Sequence, residues 1–238
     1  MEPQIDTPND SQQAPSKYSW TYIFENGYYI PLFYPLVYWC IPDHLIATTI
    51  ILKLLATNYY IHFGKFYDYS NYCPSITKAF VRLTDTGYLA TLMAYLYPST
   101  FPVAFNIHFI ITISFFFCTQ VLGMKDMDGT YPSPTIDSTF AETWMHAVHT
   151  VPFLFFCYQL IANPQNKSFT FQTFYQTIAW VLAWFVFIYI PFRLITGDCV
   201  YSILAADENK WLQMIAVTLV FVVLFVSNWI GQTITTRK

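Results

Sequence analysis

Long apolar runs, separated by short polar segments, dominate the pattern of the chain. About 20 helical residues, each rising 1.5 Å, cross the hydrocarbon core of a bilayer. Backbone polar groups inside that core must be hydrogen-bonded within their own segment, which favours helices over open strands. The pattern therefore predicts an all-α, polytopic membrane helix bundle with about six transmembrane helices. The predicted spans come from residues 27–42, 45–63, 87–118, 144–161, 171–192 and 211–230.

The third run, 87–118, is too long for one untilted span, and it contains Pro98 and Pro102. Either a kink at the prolines or a short half-helix before them explains this length, since proline breaks the helical hydrogen-bond pattern. Splitting the run completely would give seven spans. We expect six, because residues 87–101 alone are too few to cross a membrane comfortably.

Composition supports this membrane interpretation and limits the domain organisation. Hydrophobic residues make up 55% of the 238-residue chain and charged residues only 11%, against about 25% charged residues in soluble domains. Residues 1–19 are rich in Pro, Gln, Asp and Ser, which predicts a disordered or surface-lying tail. Residues 20–238 are expected to form a single transmembrane domain. The net charge of −3 and the absence of a basic block exclude nucleic acid as a main partner.

Lysine and arginine in the loops predict the orientation, since they are enriched on the cytoplasmic side. With six spans, one side carries seven of these residues and the other side three, which places both termini in the cytoplasm. The majority side holds Lys17, Lys65, Lys78, Arg82, Lys167, Arg237 and Lys238; the other holds Lys125, Arg193 and Lys210.

Two histidines near the start of the fourth span are the most informative polar residues. His146 and His149 are three residues apart and therefore share one helix face. Such a pair can ligate a metal, act as a general base with a supporting group, or form hydrogen bonds between helices. No third and fourth ligand with metal-site spacing accompanies the pair, so we expect neither a metal site nor a cofactor.

Topology suggests which residues face the histidines. In a six-span bundle the even-numbered spans all begin on the same side, so Thr48 and Thr49 should lie at the depth of His149. Lys53 follows Thr49 by one helical turn, and a lysine within a membrane costs roughly 2.5–3.5 kcal/mol unless it finds a partner or an aqueous cavity. Arg193, at the end of the fifth span, is expected on the histidine side as well.

Several short motifs occur along the chain: Tyr131-Pro132, the run from Trp144 through His146 and His149 to Thr150, and Thr196-Gly197 followed by Tyr201. In this order they resemble the androgen-induced membrane protein family, which includes the androgen-dependent TFPI-regulating protein. Leu83-Thr84-Asp85 is similar to a Leu-Arg-Asp element of that family. The similarity extends over roughly residues 40–230, and the histidine run is its most specific part.

The resemblance implies a multi-pass hydrolase that cleaves fatty-acid esters of hydroxy fatty acids with a threonine nucleophile and a histidine base. By position the base is His149, and the nucleophile is Thr48 or Thr49, chosen by span and depth. His146, Lys53 or a main-chain amide of a broken helix is expected to stabilise the oxyanion, and Arg193 to orient a substrate carboxylate. Membrane lipids and a fatty-acyl ester are the expected partners. The alternative is a non-catalytic scaffold subunit of a membrane protein complex that retains this fold.

Overall fold

The computed structural model describes residues 34–62, 81–123, 138–197, 201, 204 and 210–236, and every regular element in these ranges is helical. The predicted all-α fold is therefore confirmed, while the predicted tail at 1–19 lies outside the described residues. The α-helices, in chain order, are α1 (Tyr34–Cys40), α2 (His44–His62), α3 (Leu83–Leu96), α4 (Phe101–Phe116), α5 (Ser138–Ala162), α6 (Phe171–Trp184), α7 (Ile190–Thr196) and α8 (Lys210–Thr236).

Three continuous helices among the described residues are long and apolar enough to cross a membrane. They are Pro98–Val121, which contains α4, Phe171–Thr196, which joins α6 to α7, and Gln213–Thr236 within α8. Each of the first two includes one π-helical turn, at Phe117–Val121 and Phe185–Tyr189. These helices support the predicted membrane fold, and the count of six spans stays a prediction.

The long third run is not one span with a kink, because the chain reverses direction within it. α3 ends at Leu96, a 3₁₀ turn occupies Pro98–Thr100, and α4 returns alongside α3. Gly87 lies where the two helices approach closely, since a Cβ atom there would lie 2.6 Å from the end of the Ile111 side chain, which would have to shift. The Thr91 hydroxyl lies 2.7 Å from His108 Nε2 and links the same two helices.

This hairpin adds one reversal of the chain to the predicted six-span arrangement. Every later helix therefore runs opposite to its predicted direction relative to α2. Gln159 Nε2, near the end of α5, donates a 3.1 Å hydrogen bond to Asp43, which immediately precedes α2. The start of α2 therefore lies beside the end of α5, and the two helices run in opposite directions. The prediction that these two predicted spans begin on the same side is wrong for this reason.

Helix α4 occupies the centre of the bundle. In its most apolar window 72% of the residues are buried, against 17% for Phe171–Thr196 and 28% for Gln213–Thr236. Aromatic rings fill the space around α4: Phe105 packs edge to face on Phe169, and His108 stacks on Phe156 with ring centroids 5.2 Å apart. α4 is thus enclosed by protein, whereas the other two long helices present most of their surface outward.

A buried polar cluster joins α4 to α6 and α8. Asn106 is fully buried, and its side-chain amide donates to Thr177 Oγ1 at 3.3 Å and to Asn228 Oδ1 at 3.2 Å. Its carbonyl oxygen accepts a 2.8 Å hydrogen bond from Ser227 Oγ. Asn228 also accepts from Thr173 Oγ1. Because an unpaired polar group is costly in an apolar interior, this cluster fixes which faces of the three helices meet.

Replacing Asn106 with leucine should destabilise the fold by about 1–3 kcal/mol, because Ser227 and Asn228 would lose buried partners. The measurement is the free energy of unfolding in mixed micelles titrated with denaturing detergent. Gln232→Leu, at an exposed position of α8, is the matched control and should change little. Equal effects of the two substitutions would show that the cluster does not hold the bundle together.

Candidate functional site

The first turn of α3 is anchored to α2 by a buried ion pair. Lys53 Nζ contacts Asp85 Oδ1, and the two side chains are only 14% and 5% exposed. The other carboxylate oxygen of Asp85 accepts the backbone N–H of Arg82 at 3.1 Å. The sequence expectation that Lys53 needs a partner is met by this carboxylate, so Lys53 serves first to position α3.

The same turn and the segment just before it are anchored to the α6 side of the bundle by hydrogen bonds with three aromatic residues. Trp184 Nε1 donates to the carbonyl of Val81 at 2.8 Å, and Trp180 Nε1 donates to Thr86 Oγ1 at 3.2 Å. The Tyr201 hydroxyl accepts the backbone N–H of Leu83 at 3.0 Å. Thr84 therefore stands on a backbone segment that is fixed from two sides.

Thr84 and His149 form a buried threonine–histidine pair. Thr84 Oγ1 lies 3.2 Å from His149 Nε2, and the two residues are 7% and 4% exposed. The His149 ring stacks on Phe115 with centroids 4.2 Å apart, and the His149 carbonyl accepts a 2.6 Å hydrogen bond from Thr112. When Nε2 is the unprotonated nitrogen, the imidazole is placed to accept the threonine proton.

The pair lines a cavity of about 310 Å³, which we name the histidine cavity. Its walls come from α3, α4, α5, α6 and α8 and are mostly apolar, including Ile111, Leu182 and Leu224. Ser114 also lines it, and the buried Ser114 hydroxyl makes no hydrogen bond with the described part of the chain. The volume lies at the lower end of the range of small-molecule sites, which typically combine apolar walls with a few polar groups.

Both π-helical turns contribute to this cavity. Cys118 belongs to the turn that ends the α4 helix, and Phe185 begins the turn between α6 and α7. A π turn inserts an extra residue into a helix and shifts the side chains that follow, and such turns are frequent at functional sites. Sequence periodicity gives no signal for them.

The structure places the predicted threonines away from this cavity. Thr49 is buried and lines a second cavity of about 290 Å³ together with Phe156 and Gln159. Phe156 and Gln159 lie seven and ten positions beyond His149 on α5, which is roughly 10–15 Å farther along the helix. Thr48 is half-buried on α2 and lines neither cavity. The depth match failed because the α3–α4 hairpin reverses α5 relative to α2.

The predicted supporting residues also lie outside the histidine cavity. His146 packs against Phe115 and Phe116, with ring centroids 5.1 Å and 5.7 Å away. Arg193 Nη1 donates a 3.0 Å hydrogen bond to the Gly197 carbonyl at the end of α7. His146 therefore contacts Phe115, which stacks on His149, while Arg193 caps the C-terminal end of α7.

Sequence reasoning missed Thr84 and Ser114. Thr84 stands in the Leu83-Thr84-Asp85 element, where the similar family has an arginine, and no spacing rule links it to His149. The available signal was the combination of Gly87 with Pro98 and Pro102, which together favour a tight helical hairpin. A hairpin at that position brings the start of α3 beside the end of α4, and hence beside His149.

Among the described residues, no group of three or more His, Cys, Asp or Glu side chains is placed to hold a metal ion. Comparison with protein-family models, with curated proteins and with solved structures finds no match to this chain. The family resemblance therefore rests on the short motifs around Leu83, Tyr131, His149 and Thr196 alone.

Breaking the Lys53–Asp85 pair from one side should destabilise the protein by about 3–5 kcal/mol, because a buried charge loses its partner. We expect this for Lys53→Met and for Asp85→Asn, measured as the free energy of unfolding in mixed micelles. The double variant should recover at least half of the loss. Lys210→Met, at an exposed residue, is the control. Additive losses in the double variant would contradict a direct coupling.

Proposed function

We propose that the protein is a membrane acyl-ester hydrolase in which Thr84 is the nucleophile and His149 the general base. The observation that carries the proposal is the 3.2 Å contact between Thr84 Oγ1 and His149 Nε2 at the wall of an apolar cavity of about 310 Å³. A nucleophile within hydrogen-bond reach of a base is the arrangement that covalent acyl transfer requires. The fold supplies it in a place where an acyl chain can bind.

The reaction follows the usual two steps of acyl transfer. Thr84 Oγ attacks the ester carbonyl carbon while His149 Nε2 takes the hydroxyl proton, which gives a tetrahedral oxyanion. Collapse of this intermediate breaks the bond to the leaving alcohol, and His149 returns the proton to that alcohol. A water molecule, deprotonated by His149, then attacks the acyl-threonine and releases the fatty acid with a free Thr84 hydroxyl.

Two features are suited to stabilise the oxyanion. Thr84 lies in the first turn of α3, where the helix N-terminus carries a partial positive charge. The Ser114 hydroxyl lines the same cavity without a hydrogen-bond partner in the described structure, so it can donate to a developing oxyanion. The helix N-terminus and Ser114 would thus stabilise the oxyanion in place of His146 or Lys53.

The cavity walls favour an uncharged, long-chain portion of the substrate. No Lys, Arg, Asp or Glu is among the described residues that line the histidine cavity. An ester between a fatty acid and a hydroxy fatty acid fits this environment when its ester group and one chain are inside and its carboxylate stays outside. Membrane lipids are the proposed source of such substrates.

A second proposal is that the protein is a non-catalytic subunit of a membrane complex. The outward surface of Phe171–Thr196 favours it, since Phe187, Leu194 and Ile195 are each about three-quarters exposed. Such residues can face either lipid or another protein. The hydrolase proposal accounts in addition for the Thr84–His149 pair, so we place it first.

Purified wild-type protein in phospholipid nanodiscs should hydrolyse a long-chain ester of a hydroxy fatty acid. Thr84→Ala and His149→Ala should each lose on the order of 10³-fold or more in kcat, because the nucleophile and base act as a unit. Thr84→Ser keeps a hydroxyl and should retain activity. The measurement is fatty-acid release quantified by mass spectrometry.

Thr48→Ala and Thr49→Ala are the matched controls for this experiment and should turn over at the wild-type rate. Full activity in Thr84→Ala combined with loss in Thr49→Ala would instead assign the nucleophile to the second predicted span. A wild-type protein that binds the ester without releasing product would favour the non-catalytic proposal.

A further inference from the structure

The second cavity, which we name the lysine cavity, lies at the opposite end of the bundle from the histidine cavity. Its walls come from the start of α2, the α3–α4 turn and the end of α5, and its volume is about 290 Å³. Phe101, Phe155 and Phe156 give it an apolar side, while Asp43 and Lys167 bring opposite charges to it. Nothing in the proposed hydrolysis uses this cavity.

The lysine cavity sits at the depth expected for lipid headgroups. Lys167 precedes the helix Phe171–Thr196 by four residues, and that helix is long and apolar enough to span a membrane. Phe169 packs against Gly231 close to the end of α8, so the ends of two candidate spans meet at this level. Charged side chains at the ends of spans lie in the interfacial layer of a bilayer.

The two charged side chains of the cavity, Asp43 and Lys167, make different contacts within the protein. Asp43 caps α2: one carboxylate oxygen accepts the Ile46 backbone N–H at 3.1 Å, and the other accepts Gln159 Nε2 at 3.1 Å. Lys167 Nζ lies over the Phe101 ring, 3.8 Å from its centroid. Burial lowers the pKa of Lys167, and attraction to the Asp43 carboxylate opposes that shift.

We propose that the lysine cavity binds a zwitterionic phospholipid headgroup that carries a primary ammonium. The phosphate would accept hydrogen bonds from Lys167, and the ammonium would donate to the carboxylate of Asp43. A carboxylate has about four acceptor positions, so the oxygens of Asp43 can accept from an ammonium beside their bonds to Ile46 and Gln159. The upper parts of the acyl chains would lie against the phenylalanine side of the cavity.

The described residues that line the lysine cavity carry one charge of each sign, on Asp43 and Lys167, and this distinguishes the proposed ligand from a purely anionic lipid. Asp43 repels a second negative group, whereas an ammonium beside it completes the charge pattern. A quaternary ammonium has no N–H to donate, so phosphatidylcholine would lose the bond to Asp43 that phosphatidylethanolamine makes. The proposal therefore predicts a preference among lipids of equal chain length.

Native mass spectrometry with equal amounts of dioleoyl phosphatidylethanolamine, phosphatidylcholine and phosphatidylglycerol tests this preference. The wild type should retain phosphatidylethanolamine on the order of tenfold more than either competitor, as expected for one charge-assisted hydrogen bond. Lys167→Gln should weaken both zwitterionic lipids. Asp43→Asn should abolish the advantage of phosphatidylethanolamine over phosphatidylcholine, while asparagine still caps α2. Lys210→Gln is the control, because Lys210 is exposed and does not line this cavity.

Three outcomes would overturn the proposal. Equal retention of the three lipids, tightest binding of phosphatidylglycerol, or unchanged selectivity in both variants would each exclude a paired-charge site. A further experiment with soluble phosphoethanolamine distinguishes a membrane lipid from a free headgroup as the ligand. If this compound displaces the lipid at millimolar concentration, the headgroup alone is the ligand. None of these readouts depends on Thr84 or His149, so the result is independent of the proposed hydrolysis.

Discussion

The organisation of this bundle depends on one interaction: buried polar side chains of the central helix α4 form hydrogen bonds with neighbouring helices. Asn106 meets α6 and α8, His108 meets Thr91 on α3, and Thr112 meets the His149 carbonyl on α5. Lipid cannot satisfy these groups. The partners therefore fix the rotation of α4 and the helices that surround it, including the helix that carries His149.

The α3–α4 hairpin positions the residues of the candidate site within this packing. Gly87 lets the two helices approach closely, and the Lys53–Asp85 pair holds the first turn of α3 against α2. Thr84, next in sequence to Asp85, is thereby brought to His149 at the wall of the histidine cavity. The reversal also divides the chemistry between two ends of the molecule: an apolar cavity with a threonine and a histidine at one end, and a charged cavity with Asp43 and Lys167 at the other.

Hydropathy alone predicted the helical class, because segments such as 171–192 and 211–230 are apolar over a full membrane thickness. The histidine pair was recognisable for the same reason, since two ionisable groups stand out in an apolar helix. The partner of His149 was not predictable from depth. One extra reversal at Pro98–Thr100 inverts the direction of α5 relative to α2, and it brings Thr84 rather than Thr48 or Thr49 to the base. Contacts between helices far apart in sequence leave no periodic trace.

Covalent capture is the most direct test of the proposal that Thr84 is an activated nucleophile in a ligand cavity. A long-chain fluorophosphonate, incubated with the wild type in nanodiscs and followed by peptide mass spectrometry, should leave its adduct on Thr84. The adduct should disappear in His149→Ala, because the hydroxyl then has no base. An adduct on Thr48 or Thr49, or labelling of Thr84 that is unchanged without His149, would contradict the account.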